Sequence, residues 1–145
     1  MEYRFYGYES AEVKPVSAEY GFIRNQRHMY DILDRCWSEE TCAPRLRGEW
    51  SGTNKTVGQC SITSFLVQDI FGGEVYGIEL PDGSYHCYNV VGDSLFDLTS
   101  EQFGDEVLIY AKENPQSREV HFASEEKKAR YELLKAKVLA QLSKN

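Results

Sequence analysis

Three short runs rich in β-branched and aromatic residues follow one another between Glu74 and Leu98, separated by Pro81-Asp82-Gly83 and by Gly92-Asp93. Turns this short join neighbouring antiparallel strands, whereas a parallel pair needs a crossover of about a dozen residues or more. Glu74–Leu80, Ser84–Val91 and Ser94–Leu98 therefore read as an antiparallel meander. Just ahead of them, Ile62, Phe65, Leu66 and Ile70 recur at helical spacing, and Gly72-Gly73 supplies a left-handed stop. A helix that begins at or beside Cys60 thus runs directly into a sheet that must cover it. The pairing restricts the chain to an α+β arrangement, with a Cys-bearing helix packed on an antiparallel β-sheet.

Elsewhere the pattern is looser. Met29, Ile32, Leu33, Cys36 and Trp37 place one face of a helix over Asn25–Trp37, and Ser38 to Lys55 reads as a long connection. Thr99 caps a short turn holding Gln102 and Phe103, Val107–Tyr110 suggests a further strand, and Asn114-Pro115 ends it. From Ser124, the residues Tyr131, Leu134, Val138 and Leu142 make a closing amphipathic helix, with Glu125 and Glu126 at its positive end and Lys144 at its negative one. Tyr3 to Tyr8 suggests a short strand, but the pattern assigns no role to segment 1–24. With 145 residues, no repeat and no pooled Gly or Pro, the expectation is a single domain over 1–145.

Charge narrows the function classes. A net charge of −7 leaves no basic footprint for nucleic acid and no attraction to anionic lipid. Cys36, Cys42, Cys60 and Cys87 stand at irregular spacings without a CxxC pair, and the first residues lack the pattern of a secretory signal. The expectation is a cytoplasmic protein with free thiols. Thiols and imidazoles occur singly, so no metal site is expected, and Gly72-Gly73 ends a helix instead of opening one, which is not a phosphate loop. No cofactor is expected.

A cysteine at a helix N-terminus feels unpaired N–H groups and the positive end of the macrodipole, and both favour thiolate. Cys60 occupies such a place. Of His28, His86 and His121, His86 is best placed as a base, because it stands on the strand that supports the helix. A two-residue turn at Gly92-Asp93 pairs Val91 with Ser94 and hence Tyr88 with Asp97, which makes His86 and Asp97 diagonal neighbours on one face. Cys60, His86 and Asp97 then have the form of nucleophile, base and orienting acid. The Cys60 N–H is a natural oxyanion donor, with Gln59, Trp50 or Asn54 considered as the second. Asn89 falls on the opposite face from His86, which gives it a structural role.

Plainer readings compete with these. Free cysteine often fills space in a helix–sheet core, a histidine on a sheet is often only a satisfied polar group, and Asp97 also suits a cap for the turn at Thr99.

Gly58-Gln59-Cys60 opening a helix, with His86 on one strand and Asp97 on the next, resembles the core of transglutaminase-like and papain-like cysteine enzymes. A closer resemblance is to the YunG-like family of uncharacterised bacterial proteins. It is carried by Trp37, Thr41, Trp50, Gly58-Gln59-Cys60, Gly72-Gly73, His86-Cys87-Tyr88-Asn89, Asp97-Leu98-Thr99 and Gln102-Phe103. It spans roughly Trp37 to Phe103, and more weakly Arg130-Tyr131. In that family pattern the tetrad more often reads His-Tyr-Trp-Asn, so Cys87 and Tyr88 depart from it. The resemblance implies a papain-like or transglutaminase-like fold with a Cys-His-Asp site and no established substrate.

The expected function is thiol-dependent acyl transfer on a small-molecule or peptide acyl donor, as hydrolysis, deamidation or transamidation. The alternative is a non-catalytic binding module that keeps the fold. A narrow groove is expected, walled by Trp50, Tyr85 or Tyr88, and the net charge of −7 disfavours a strongly acidic substrate unless basic residues such as Arg45 and Arg47 gather at its mouth.

Overall fold

The protein is described from a computed structural model covering residues 3–141, so the predicted helix positions Leu142 and Lys144 lie outside the described residues. Helix α1 is Gln26–Asp34, α2 is Cys60–Phe71, and strands β1 Glu74–Glu79, β2 Tyr85–Val91 and β3 Ser94–Phe96 follow. A single turn α3, Arg118–His121, and the long helix α4, Glu125–Ala140, complete the order. The three strands form an antiparallel sheet in the order β1-β2-β3, and the fold is α+β.

Helix α2 is the axis of the core. Ile62, Phe65, Leu66, Val67 and Ile70 are all fully buried, as expected of a helix that is apolar on most of its circumference. One side packs on β2 and another on α4 through Leu134 and Val138. Trp37 donates its indole N–H to Thr63 Oγ1 at 3.0 Å, tying the segment after α1 to the same helix. Helix α1 starts at the predicted cap, where the Asn25 side chain accepts from the His28 N–H at 2.9 Å. It ends earlier than the periodicity suggests. Cys36 and Trp37 stay buried, but in a tight turn in which both N–H groups donate to Leu33 O.

The β2–β3 register is the one the turn length demands: Val91 opposite Ser94, Val90 opposite Leu95, Asn89 opposite Phe96. Phe96, Asn89 and Cys87 thus share the face turned to α2, and Asn89 Nδ2 donates to Ser64 O at 2.9 Å. His86, Tyr88 and Asp97 share the other face. Strand β3 stops at Phe96, short of the predicted Leu98, because the Asp97 N–H leaves the hairpin and donates to Tyr6 O at 2.9 Å. The predicted N-terminal strand is reduced to this single bridge. No strand forms over 107–110, where Val107 and Ile109 are 88% and 77% exposed. The outer edge of β1, to which such a strand would pair, is already taken: the Gly77 N–H donates to Asn114 O at 3.0 Å and the Gln116 N–H to Val75 O at 2.9 Å.

The stop after α2 needs glycine for a geometric reason. Gly72 has φ 80° and ψ −156°, a region essentially closed to other residues. At Gly73, also with positive φ, a Cβ would stand 2.2 Å from Val90 O. Gly73→Ala should therefore lower stability by about 2–4 kcal/mol, from left-handed strain plus a clash that only backbone movement relieves. Urea unfolding followed by far-UV circular dichroism checks this; a change below about 0.5 kcal/mol would show that the approach of β2 to this corner is looser than described.

Candidate active site

Cys60 is the first residue of α2, and the chain reaches it through a tight approach. Gly58 has φ +71°, and a Cβ there would lie 2.5 Å from Cys42 Sγ and 2.8 Å from the Ala43 nitrogen, so only glycine lets the two segments pass. The Ala43 N–H donates to Gly58 O at 3.0 Å, and Thr41 closes the neighbouring turn by bonding Ser38 through both its roles as donor and acceptor. Thr63 is the first residue of α2 whose N–H reaches a carbonyl of the helical ladder, Gln59 O at 3.1 Å. The N–H groups of Cys60, Ser61 and Ile62 are the unpaired donors of a helix start.

The short strand β3 leaves an open edge on β2. In the β1–β2 ladder Gly77 faces Cys87, and Gly77 sends its N–H outward to the 113–114 carbonyls, so Cys87 directs its own backbone groups to the opposite side. That side is where β3 would continue, but β3 pairs only with Asn89 to Val91. Cys60 lies against this gap, where Cys87 is the strongest influence on its thiol. From this edge it also lies beside the His86 ring, which projects from the other face.

His86 and Asp97 are each 1% exposed and share a 2.6 Å hydrogen bond from Nε2 to Oδ2. The carboxylate accepts only, so Nε2 carries the proton and Nδ1 faces Cys60. Nδ1 is buried without an aligned hydrogen-bond partner. The same Oδ2 accepts from the Tyr110 hydroxyl at 2.7 Å, while Oδ1 accepts from Thr99 N at 3.2 Å and Thr99 Oγ1 at 3.3 Å. Asp97 thus caps the turn and holds the imidazole at once. Phe103 packs edge-on to the His86 ring, and Tyr6 stacks on Tyr110 at 4.0 Å.

The Cys87 hydrogen bond is the largest influence on Cys60 and favours its thiolate; burial opposes this, and His86 adds to it, so the Cys60 pKa falls well below the usual thiol range. Cys87, the donor, is pushed the other way. The assignment of charge to Cys60 instead of Cys87 follows from position, since only Cys60 has both the imidazole and the helix start beside it. Burial works against a charged His86, but Asp97 and Cys60 outweigh it and raise the imidazole to about 10. Cys60 is partly exposed, whereas Cys36, Cys42 and Cys87 are buried.

Cys60, Ser61 and His86 line a cleft of about 1130 Å³ whose walls come from segment 43–58, the turn at Gln102-Phe103, and segment 114–130. It is broader than the expected groove. Tyr85 lines it, but Tyr88 is buried under Tyr110 and Trp50 is not part of the wall. Arg45 is at the cleft and faces Asp82 at 3.8 Å, while Arg47 is spent on the carbonyls of Glu39, Glu40 and Cys42. None of the three side chains considered as second oxyanion donor reaches Cys60. Gln59 is buried away from the cleft with Nε2 on Ser38 O at 3.1 Å, the Trp50 indole donates to Lys55 O at 3.0 Å, and Asn54 turns to Glu49 O at 3.4 Å beside a separate small cavity. Each satisfies a nearby carbonyl instead. His28 stays local on α1, accepting from the Arg24 N–H. His121, Lys127 and Gln116 do line the cleft, and so does none of the residues between Val91 and Leu98. Among the described residues no group of His, Cys, Asp or Glu could hold a metal ion, and no helix is long and apolar enough to cross a membrane.

The profile of the family described as YunG protein matches residues 25–143. The chain belongs to the YunG family. The match takes in α1, which lies ahead of the motifs that carried the resemblance, and all the described part of α4. A curated relative, "Uncharacterized protein YunG" of Bacillus subtilis (strain 168), is 34% identical over 95 residues, which is 66% of this chain and 76% of the relative. No solved structure matches the chain.

Two outcomes follow from the geometry. His86→Ala removes the cation beside Cys60, so Cys60 alkylation by iodoacetamide, read by peptide mass spectrometry, should slow about tenfold or more at pH 6.5, since each pKa unit is tenfold. The difference should close towards pH 10, where the thiol ionises unaided. Equal rates at pH 6.5 would show that His86 does not govern the thiol. Stability should follow the same pair. Folded, it holds one proton as thiolate and imidazolium; unfolded, it also holds one between about pH 6.5 and 8.5. Above that window the unfolded thiol loses its proton first, so the pair's contribution declines as pH rises towards the folded His86 value of about 10. Below it, the unfolded His gains a proton and the contribution declines as pH falls through the lowered Cys60 value. Urea unfolding at pH 6, 7.5 and 9.5 should show this maximum in the wild type and a flatter profile in the Cys60→Ala, His86→Ala double variant.

Proposed function

We propose that this protein is a cysteine acyl-transfer enzyme of papain-like or transglutaminase-like architecture. One observation carries the reading: the partly exposed thiol among four cysteines stands at a helix start on the floor of a cleft, beside a buried imidazole whose far nitrogen is held by a fully bonded carboxylate. In this reading the Cys60 thiolate attacks the carbonyl carbon of an amide, ester or thioester. The carbonyl π electrons move to oxygen, which the unpaired N–H groups at the start of α2 face. As the tetrahedral species collapses, the bond to the leaving group breaks, and the His86 imidazolium gives that group its proton from Nδ1. The neutral imidazole then takes a proton from water or from an amine, whose attack on the thioester frees Cys60. Water yields hydrolysis or deamidation, and an amine yields transamidation. Asp97 keeps the proton on Nε2 throughout.

Peptide amides, glutamine donors, aryl esters and thioesters, offered in turn to wild type and Cys60→Ala, test the reading. Turnover with at least one donor class is expected, with an acyl adduct on Cys60 in the intact protein's mass and loss of turnover of about a thousandfold or more in Cys60→Ala, the scale of a removed nucleophile. Equal, negligible rates in both proteins, with a ligand held equally by both, would instead establish the binding module.

A further inference from the structure

Lys127 is the third residue of α4, in the first turn of the helix, where the macrodipole disfavours a cation. Its partner is not a carboxylate. Nζ donates to His121 Nδ1 at 2.9 Å, and His121 Nε2 is bonded to Gln116 Oε1 at 2.8 Å. An amide oxygen accepts only, so Nε2 carries the imidazole proton and Nδ1 offers a lone pair to the ammonium. Burial and the Lys127 charge both keep His121 neutral. Of the acids that line the cleft, Glu126 is bonded to Arg130, Asp82 faces Arg45, and Glu49 makes no ion pair with Lys127. Among the described residues, Lys127 is the cation of this cleft that forms no ion pair with an acid, and it lines the same cleft as Cys60 and His86. Its charge favours the ionised form of Cys87, and its partner His121 is within electrostatic range of Cys60. In a chain with net charge −7, an uncompensated ammonium set by a two-step relay is a feature that a carboxylate would satisfy.

We propose that Lys127, positioned by His121 and Gln116, binds a carboxylate of the acyl donor, so that the substrates of this site are anionic. The inference rests on the acyl-transfer reading of Cys60. A pair of alkylating agents tests it without any known substrate, because iodoacetate and iodoacetamide react with a thiolate in the same way, displacing iodide, and differ in carrying a carboxylate or a neutral amide. The ratio of their rate constants at Cys60 is measured for wild type, Lys127→Met, Lys127→Gln and Lys127→Arg at pH 7, with circular dichroism verifying the fold of each. The expected result is a ratio about fivefold lower in Lys127→Met and Lys127→Gln, retained in Lys127→Arg, and with the difference shrinking in 0.5 M salt. A structural role for Lys127 would move both reagents alike and leave the ratio unchanged, which overturns the inference while a fast Cys60 preserves the acyl-transfer reading. A Cys60 inert to both reagents in the folded wild type overturns both.

Discussion

The hydrogen bond between His86 and Asp97 exists because β3 is short. Three paired residues fix the register, and the fourth, Asp97, turns out of the ladder with its N–H on Tyr6 and its carboxylate under the imidazole. The same early stop leaves the β2 edge at Cys87 without a strand partner. Cys60 takes that place beside Cys87. A single constraint, the length of one strand, thus admits the thiol to one side of the imidazole and the carboxylate to the other. Burying the His86–Asp97 pair is costly unless it is well bonded, and here the carboxylate accepts from four donor atoms.

What the sequence made legible was whatever local spacing decides. Helical periodicity from Ile62 to Ile70, the glycine stop and two short turns sufficed for the helix and the meander, and turn length alone placed Asp97 diagonally from His86. Tyr110, Tyr6 and Lys127 were given no place at the site, and His121 was weighed only as a base, because their positions depend on loop paths far from Cys60 in the chain. The strand expected over 107–110 failed for a related reason: a short apolar run was present, but the edge it needed belonged to residues 113–116. Gln59, Trp50 and Asn54 were reasonable donors by proximity in sequence, yet proximity also offered them carbonyls of Ser38, Lys55 and Glu49, and each took the nearer acceptor.

Cys87 shows how one residue carries two kinds of information. As a departure from the His-Tyr-Trp-Asn pattern it read as a change of neighbouring surface, but alternation points its side chain inward to α2, and edge geometry brings it to Cys60. Its backbone contribution would survive substitution, since any residue there except proline supplies the N–H; its thiol contribution belongs to this chain's choice of side chain.

The opening segment has a different consequence. The family profile begins at residue 25, yet Phe5 is fully buried in the core, Tyr6 O receives the Asp97 N–H, and the Tyr6 ring covers Tyr110, which in turn donates to the Asp97 carboxylate. Drawing a boundary at the start of the family match would therefore cut away the floor beneath Asp97. In this chain the segment that lies outside the family match is what packs beneath the buried Asp97 carboxylate.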